Sequence, residues 1–473
     1  MRLLSGPPRR TELALLGFAL VVITAGMVLT DSHEPGDLVG SGLLLVVVFA
    51  VLCGAAHVAI RFFAPDADPL PLPCVALLNG IGLIMIHRID QAYAYDAKQD
   101  GEPIPGQDAP RQLIWVAVAI VMFALVLFKV RDHRKLSNYT YVAGVLGLGL
   151  LVLPGVLPAS LSEVNGAKLW LRLGPFSLQP GEFSKILIIV FASGFLVAKH
   201  HLFASAGKRF LGMELPRARD LGPLLVTWLA SVSVVTFEKE LGAALLFFGV
   251  ALFMIYIATQ RVSWILVGLA LFVVGCVAAY YLFGHIRQRV STWADPLGTY
   301  DRPGGGYQVS QSLFGLGTGG LTGTGLGQGR PDLVPFSSTD FISGAIGEEL
   351  GTVGLLVMLL LYLMVTMRGL RAAMLVEDSY GKLLAAGLSC SLALQVFVVV
   401  GGVTGLIPLA GMTMPFLSYG GSSLLSNYLI LALLLRVSSA AAKESAPPPP
   451  PPPKAAPLPQ ASTVLVNRPP STS

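Results

Sequence analysis

The run Leu43-Leu44-Leu45-Val46-Val47-Val48-Phe49-Ala50-Val51-Leu52 decides the fold class. It lies in an apolar stretch over 38–60, long enough to cross hydrocarbon as a helix. Similar stretches recur at 11–30, 69–87, 112–130, 138–157, 181–199, 221–237, 241–259, 262–284, 341–366, 381–401 and 421–437. Twelve such runs predict an all-α polytopic membrane protein. An outer-membrane barrel would show short alternating segments, and none is visible. Composition agrees: 54% of the 473 residues are hydrophobic and only 12% charged. Soluble domains carry roughly twice that charged fraction.

The net charge of +5 does not point to nucleic acid, because the basic residues alternate between loops. Arg2, Arg9 and Arg10, then Lys129 to Lys135, then Lys199 to Arg219, then Arg368 and Arg371 mark one face. Asp31 to Asp37 and the acidic run Asp90 to Asp108 mark the other. The inside-positive bias puts the N-terminus in the cytoplasm, and twelve spans return the C-terminus there. Segments 158–180 and 285–340 then face outward. Cys53, Cys74, Cys276 and Cys390 show no metal or disulfide spacing and read as packing residues. The first apolar run continues as a span, with no cleavable signal pattern. The tail 438–473 turns to proline from about Ala446 and reads as disordered.

Ionisable groups within apolar sequence need a reason. Gln179-Pro180-Gly181-Glu182-Phe183-Ser184-Lys185 opens a helix, with Glu182 and Lys185 on one face. That pair fits an anionic ligand site and a structural pair equally well. Glu240-Leu241-Gly242 follows the charged turn Glu238-Lys239 and could point into a cavity. The loop 285–340 holds Trp293-Ala294-Asp295-Pro296 and Asp301-Arg302-Pro303-Gly304-Gly305-Gly306-Tyr307-Gln308. Its glycine-rich continuation, Gly315 to Gly327, permits positive φ and backbone nests for anions. Ser338 or Thr339 is placed to cap the span that follows, in which Glu348 and Glu349 face protein or a cavity. The stretch from Gly405 to Ser423 reads as a re-entrant or loop segment. These four segments converge on one face as an outward cleft. Its residues offer carboxylates and amines but no nucleophile triad, and few histidines for zinc. An aspartate base acting on a sugar hydroxyl and an ion-coupled transporter both remain open.

Five motifs in order resemble the SEDS (shape, elongation, division and sporulation) family, over about 160–437. They are Asn165-Gly166-Ala167 with Gln179 to Lys185; Glu240-Leu241-Gly242; Gly306-Tyr307-Gln308 with Gln311-Ser312; Thr339-Asp340-Phe341 with Gly347 to Gly351; and Ser418 to Ser423. The N-terminal part, 1–157, adds about two spans to the family's ten. With Asn79-Gly80 and Met85-Ile86-His87-Arg88 it looks like the actinobacterial RodA branch. The resemblance implies a core over 158–437 with a catalytic loop at 285–340. It implies a bacterial plasma-membrane peptidoglycan glycosyltransferase that polymerises lipid II during elongation, shape control and division, beside a class B penicillin-binding protein. A divalent cation (Mg or Mn) and no organic cofactor are expected. Family placement, six residues before the tyrosine, assigns catalysis to Asp301, with Asp295 as the alternative. Arg302 stands where the family has proline, the Asp295–Asp301 spacing is about two residues longer than usual, and Glu240 replaces an aspartate. Substrate contacts are expected from Arg172, Glu182, Lys185, Glu240, Tyr307, Gln308, Gln311, Ser418 and Ser422. Arg172, Lys185 or the cation would offset the pyrophosphate charge. A lipid II flippase and a non-catalytic scaffold are the alternatives.

Overall fold

A computed structural model describes residues 9–33, 41–164, 167–173, 176–199, 209–210, 213–214, 226, 229–233, 240–302 and 304–445. Expectations for Asn165, Gly166, Glu238, Lys239, Pro303 and the proline tail lie outside the described residues. Among the described residues, eleven helices are long and apolar enough to cross a membrane. They are α1 (Arg10–His33), α2 (Ser41–Phe63), α3 (Pro71–Asp100), α4 (Asp108–Lys129), α5 (Thr140–Val156, with a 3-10 lead-in from His133), α7 (Pro180–Ala198), α8 (Leu241–Thr259), α9 (Val262–Leu282), α13 (Gly351–Leu375), α14 (Ser379–Val403) and α15 (Gly421–Glu444). Short helices α6 (Ala159–Ser162), α10 (Gly284–Ala294), α11 (Tyr307–Gly319) and α12 (Ile342–Glu349) complete the helical set used below. The expected span 221–237 is described only at 226 and 229–233. Helices α3, α14 and α15 are mostly buried and form the centre, whereas α9 leaves almost its whole surface for lipid.

Three expectations change. First, α3 does not stop near residue 87 but runs to Asp100, where Gly101 (φ +68°) closes it. Several polar groups beyond the apolar run find partners inside the protein. His87 Nε2 and Gln91 Nε2 each lie 2.9 Å from Asp31 Oδ1 on α1. Asp90 accepts from the backbone N–H groups of Asp108 (3.0 Å) and Ala109 (2.8 Å), capping α4. The supposed acidic loop is therefore only 101–107.

Second, the expected span 341–366 is two helices, α12 and α13, broken at Gly351. Gly351 has φ +68°, and an added Cβ would meet Gly323 N at 2.3 Å. The glycine-rich strand docks against the break: Thr352 N–H donates to Gly320 O and Val353 N–H to Leu321 O. Neither Ser338 nor Thr339 caps α12, whose N-cap is Phe341. The glycine nest does bind anions, but they belong to the chain. Gly327 N–H donates to Glu349 (3.0 Å) and Arg330 N–H to Glu348 (2.7 Å). Arg88 of α3 pairs with Glu349 at 3.2 Å and also donates to Gly329 O. The two glutamates thus face protein, as expected, and hold the loop.

Third, the segments expected to face outward are built rather than open. Strand β1 (Glu163–Val164) pairs antiparallel with β2 (Ala167–Lys168), and β3 (Leu171–Leu173) with β4 (Phe176–Leu178). The irregular segment 404–420 has its carbonyls taken by donors from several elements. Trp293 Nε1 donates to Gly405 O (2.7 Å), Arg289 Nη1 to Leu409 O (2.8 Å) and Ala410 O (3.1 Å). Gln395 donates to Thr413 O and Gln112 to Ser418 O, each at 3.0 Å. Tyr362 Oη donates to Pro415 O.

Replacing Gly351 by Ala is expected to cost about 1–3 kcal/mol. It should lower the apparent Tm of detergent-purified protein, whereas Gly149→Ala, whose Cβ meets nothing within 4 Å, should not. Asp340 and Arg289 both flank Gly411. Burial pushes the Asp340 carboxyl up to about 6, against the opposing pull of Arg289. Because the folded pKa is raised, the folded chain binds the proton more tightly. Stability from this group is complete below the ordinary carboxylate range and falls as pH rises towards 6. Asp340→Asn should therefore raise the apparent Tm at pH 7.5 by a few degrees and leave it unchanged near pH 4. Thermal scans at both values check this.

Candidate active site

The loop after α10 is wound tightly by its own backbone. Asp295 Oδ1 accepts from Gly298 N–H at 2.8 Å. Thr299 O accepts from the N–H groups of Arg302 (3.2 Å) and Gly306 (3.0 Å). A Cβ on Gly305 would lie 2.0 Å from Thr299 O, and one on Gly306 1.9 Å from Pro296 O. Only glycine allows this approach. The turn delivers the chain directly into α11, with Gly306 as an N-cap that has no capping side chain. Gln311 donates to Tyr300 Oη at 2.8 Å, and the Tyr300 and Tyr307 rings meet edge to face at 5.1 Å. The loop is thereby fastened to the helix it precedes.

The two candidate aspartates differ in occupation. Both are exposed. Asp295 is engaged in the turn, whereas Asp301 makes no hydrogen bond or ion pair among the described residues. Asp301 precedes Arg302, which lines a cleft of about 300 Å³ together with Arg289, Thr292, Trp293, Tyr307 and Gln308. No carboxylate lines this cleft.

The other expected site residues gather deeper. Lys185 Nζ bonds Glu182 Oε2 at 2.6 Å and Gln395 Oε1 at 2.9 Å. Ser426 donates to the same glutamate oxygen at 2.8 Å. Gln179 joins the second group, its side chain donating to Glu240 Oε1 and its backbone N–H to Ser422 Oγ, both at 2.8 Å. Lys185 is only 3% exposed, and the space between Glu182, Lys185, Glu240 and Met412 is about 10 Å³. The Lys185 charge is compensated inside the protein. Ser418 and Ser422 are also buried. Ser418 accepts from Met414 N–H at 2.8 Å and donates to Thr339 O. Both serines spend their hydroxyls fixing segments. Arg172 stands exposed on the β3–β4 hairpin.

Arg289 links the two groups and was missed in the sequence. Burial pulls its guanidinium pKa down, while Asp340 and Glu240 oppose that pull. Its signal was a basic residue in a segment that the charge bias expects to face outward. Gln395 was missed as well, a lone amide in the apolar run of α14 that supplies both an acceptor and a donor. No three His, Cys, Asp or Glu side chains among the described residues are grouped to hold a metal.

The family model described as cell cycle protein, covering FtsW, RodA and SpoVE, matches residues 69–443. The chain is 54% identical to peptidoglycan glycosyltransferase RodA of Mycobacterium tuberculosis over 428 residues, 90% of this chain and 89% of that protein. It is 35% identical to stage V sporulation protein E of Bacillus subtilis over 76% of this chain and 93% of that protein. Among solved structures, a peptidoglycan synthase complex coordinating polymerization and crosslinking aligns with TM-score 0.62 and 24% identity, over 79% of this chain and 98% of that one. Thermus thermophilus rod shape determining protein RodA aligns with TM-score 0.52 and 22% identity, over 79% and 96%. These two likenesses concern the fold alone. With its motifs in order, its spans in place and its match running through three-quarters of its length and more, the chain belongs to the SEDS family of FtsW, RodA and SpoVE.

Proposed function

We infer that the chain is a peptidoglycan glycosyltransferase of the membrane, acting in cell elongation and shape control, with division as a second setting. Its substrate is lipid II and its product a glycan strand. The observation that carries the residue assignment is the contrast between Asp295, tied into a turn, and Asp301, exposed, without a partner among the described residues and next in the chain to Arg302 of the cleft. Asp301 takes the proton from the GlcNAc 4-hydroxyl of one lipid II. The oxygen attacks the anomeric carbon of MurNAc on the other chain, and undecaprenyl pyrophosphate leaves. A carboxylate free of internal bonds can turn to its substrate at no structural cost, and proton transfer of this kind contributes roughly 10²–10⁴-fold.

Among the described residues no cluster of His, Cys, Asp or Glu forms a preformed cation site. Mg²⁺ or Mn²⁺ is proposed as an ion carried chiefly by the substrate's phosphate oxygens. Both termini are proposed as cytoplasmic from the alternating basic loops. A class B penicillin-binding protein is the proposed partner.

Lipid II polymerisation by purified protein with its partner tests the assignment. Asp301→Asn should lower the rate by roughly 10²–10⁴-fold at unchanged Tm. Asp295→Ala should cost stability of about 1 kcal/mol through the lost turn bond and reduce activity far less. The reverse ranking would overturn the assignment. Transbilayer movement of labelled lipid II without glycan would favour the flippase reading instead. Chelation by EDTA reads the cation requirement in the same assay.

A further inference from the structure

We propose that the cleft between α10, the start of α11 and segment 404–409 is the diphosphate-sugar subsite, binding the phosphates of a lipid-linked glycosyl diphosphate. The inference rests on the function above and names residues that the family motifs did not. Two guanidiniums, Arg289 and Arg302, line the cleft with no acid among its walls. Arg289 Nη1 is committed to Leu409 O and Ala410 O, which fixes the plane of its guanidinium. The first residues of α11, Tyr307, Gln308 and Val309, also line it. Their N–H groups open a thirteen-residue helix with no side-chain cap, and such an end attracts anions.

A second observation is independent of charge. Thr292 is 8% exposed and lines the same cleft, yet its Oγ1 has no hydrogen-bond partner. A buried hydroxyl left unpaired is costly, and a phosphate oxygen would satisfy it. Trp293 and Tyr307 remain 41% and 38% exposed at the rim. Trp293 Nε1 is held by Gly405 O, leaving the ring face for a pyranose. Lys185, by contrast, already has its carboxylate at 2.6 Å. The deep pair therefore supports the scaffold, and the phosphates take the shallower cleft.

The test is binding, read without turnover, of undecaprenyl diphosphate and undecaprenyl monophosphate to the full chain in nanodiscs. Wild type should prefer the diphosphate. Arg302→Ala should raise the diphosphate Kd about tenfold and Thr292→Val about threefold, with smaller changes for the monophosphate. Arg302 is exposed and donates no side-chain bond to a described residue, so its variant should keep the wild-type Tm. If Thr292→Val does not fold, Arg302→Ala decides alone. An unmoved diphosphate Kd, an equal loss for both lipids, or no preference in wild type overturns the subsite. Protein that binds diphosphate through Arg302 yet makes no glycan refutes only the polymerase reading. Protein that makes glycan with its Kd unmoved refutes only the subsite.

Discussion

Backbone carbonyls away from water must find donors, and segment 404–420 is where this constraint bears hardest. It is irregular, glycine- and proline-rich, and packed among helices. A helix would satisfy its own carbonyls, but this segment cannot. Donors come from α4, α10, α13 and α14, through Gln112, Arg289, Trp293, Tyr362 and Gln395. Each donor is polar in a region where polarity is expensive, and three of them have a second use. Trp293 and Arg289 wall the outer cleft, while Gln395 also receives Lys185. The outer site and the packing of the central helices are therefore one system of bonds.

Charge follows the same economy. Glu182 and Lys185 neutralise one another, Arg88 and Glu349 do likewise, and Asp31 takes His87 and Gln91 together. Breaking such a buried pair strands a charge and costs several kcal/mol. The loop before α11 is the opposite case, with exposed aspartates and an exposed Arg302 at the cleft. Fixed polarity inside and available polarity outside separate the residues that hold the shape from those free to meet a ligand.

Much of this was legible in the sequence. Apolar run length gave eleven of the spans, because hydrocarbon thickness sets a narrow range. Glu182 and Lys185 were readable as a pair from their spacing, although spacing could not say that Gln395 and Ser426 complete it. The break at Gly351 was hidden because Leu350 and Val353 continue the apolar pattern; only the docked glycine strand makes the break visible. The end of α3 was hidden for the opposite reason. Its polar residues resemble a loop until Asp31 and the start of α4 are placed beside them. Arg289 and Thr292 escaped because neither lies in a motif, and their meaning comes from what lies across the cleft.

The Arg88–Glu349 pair carries a consequence for biosynthesis. Its members are 261 residues apart in the chain. At roughly 5–20 residues per second, a nascent chain delivers the second roughly ten to fifty seconds after the first. Throughout that interval Arg88 of α3 lacks the Glu349 carboxylate. Closure of the glycine loop is therefore a late event in assembly, and a chain interrupted before Glu348 and Glu349 would lack the carboxylates that take the N–H groups of Gly327 and Arg330.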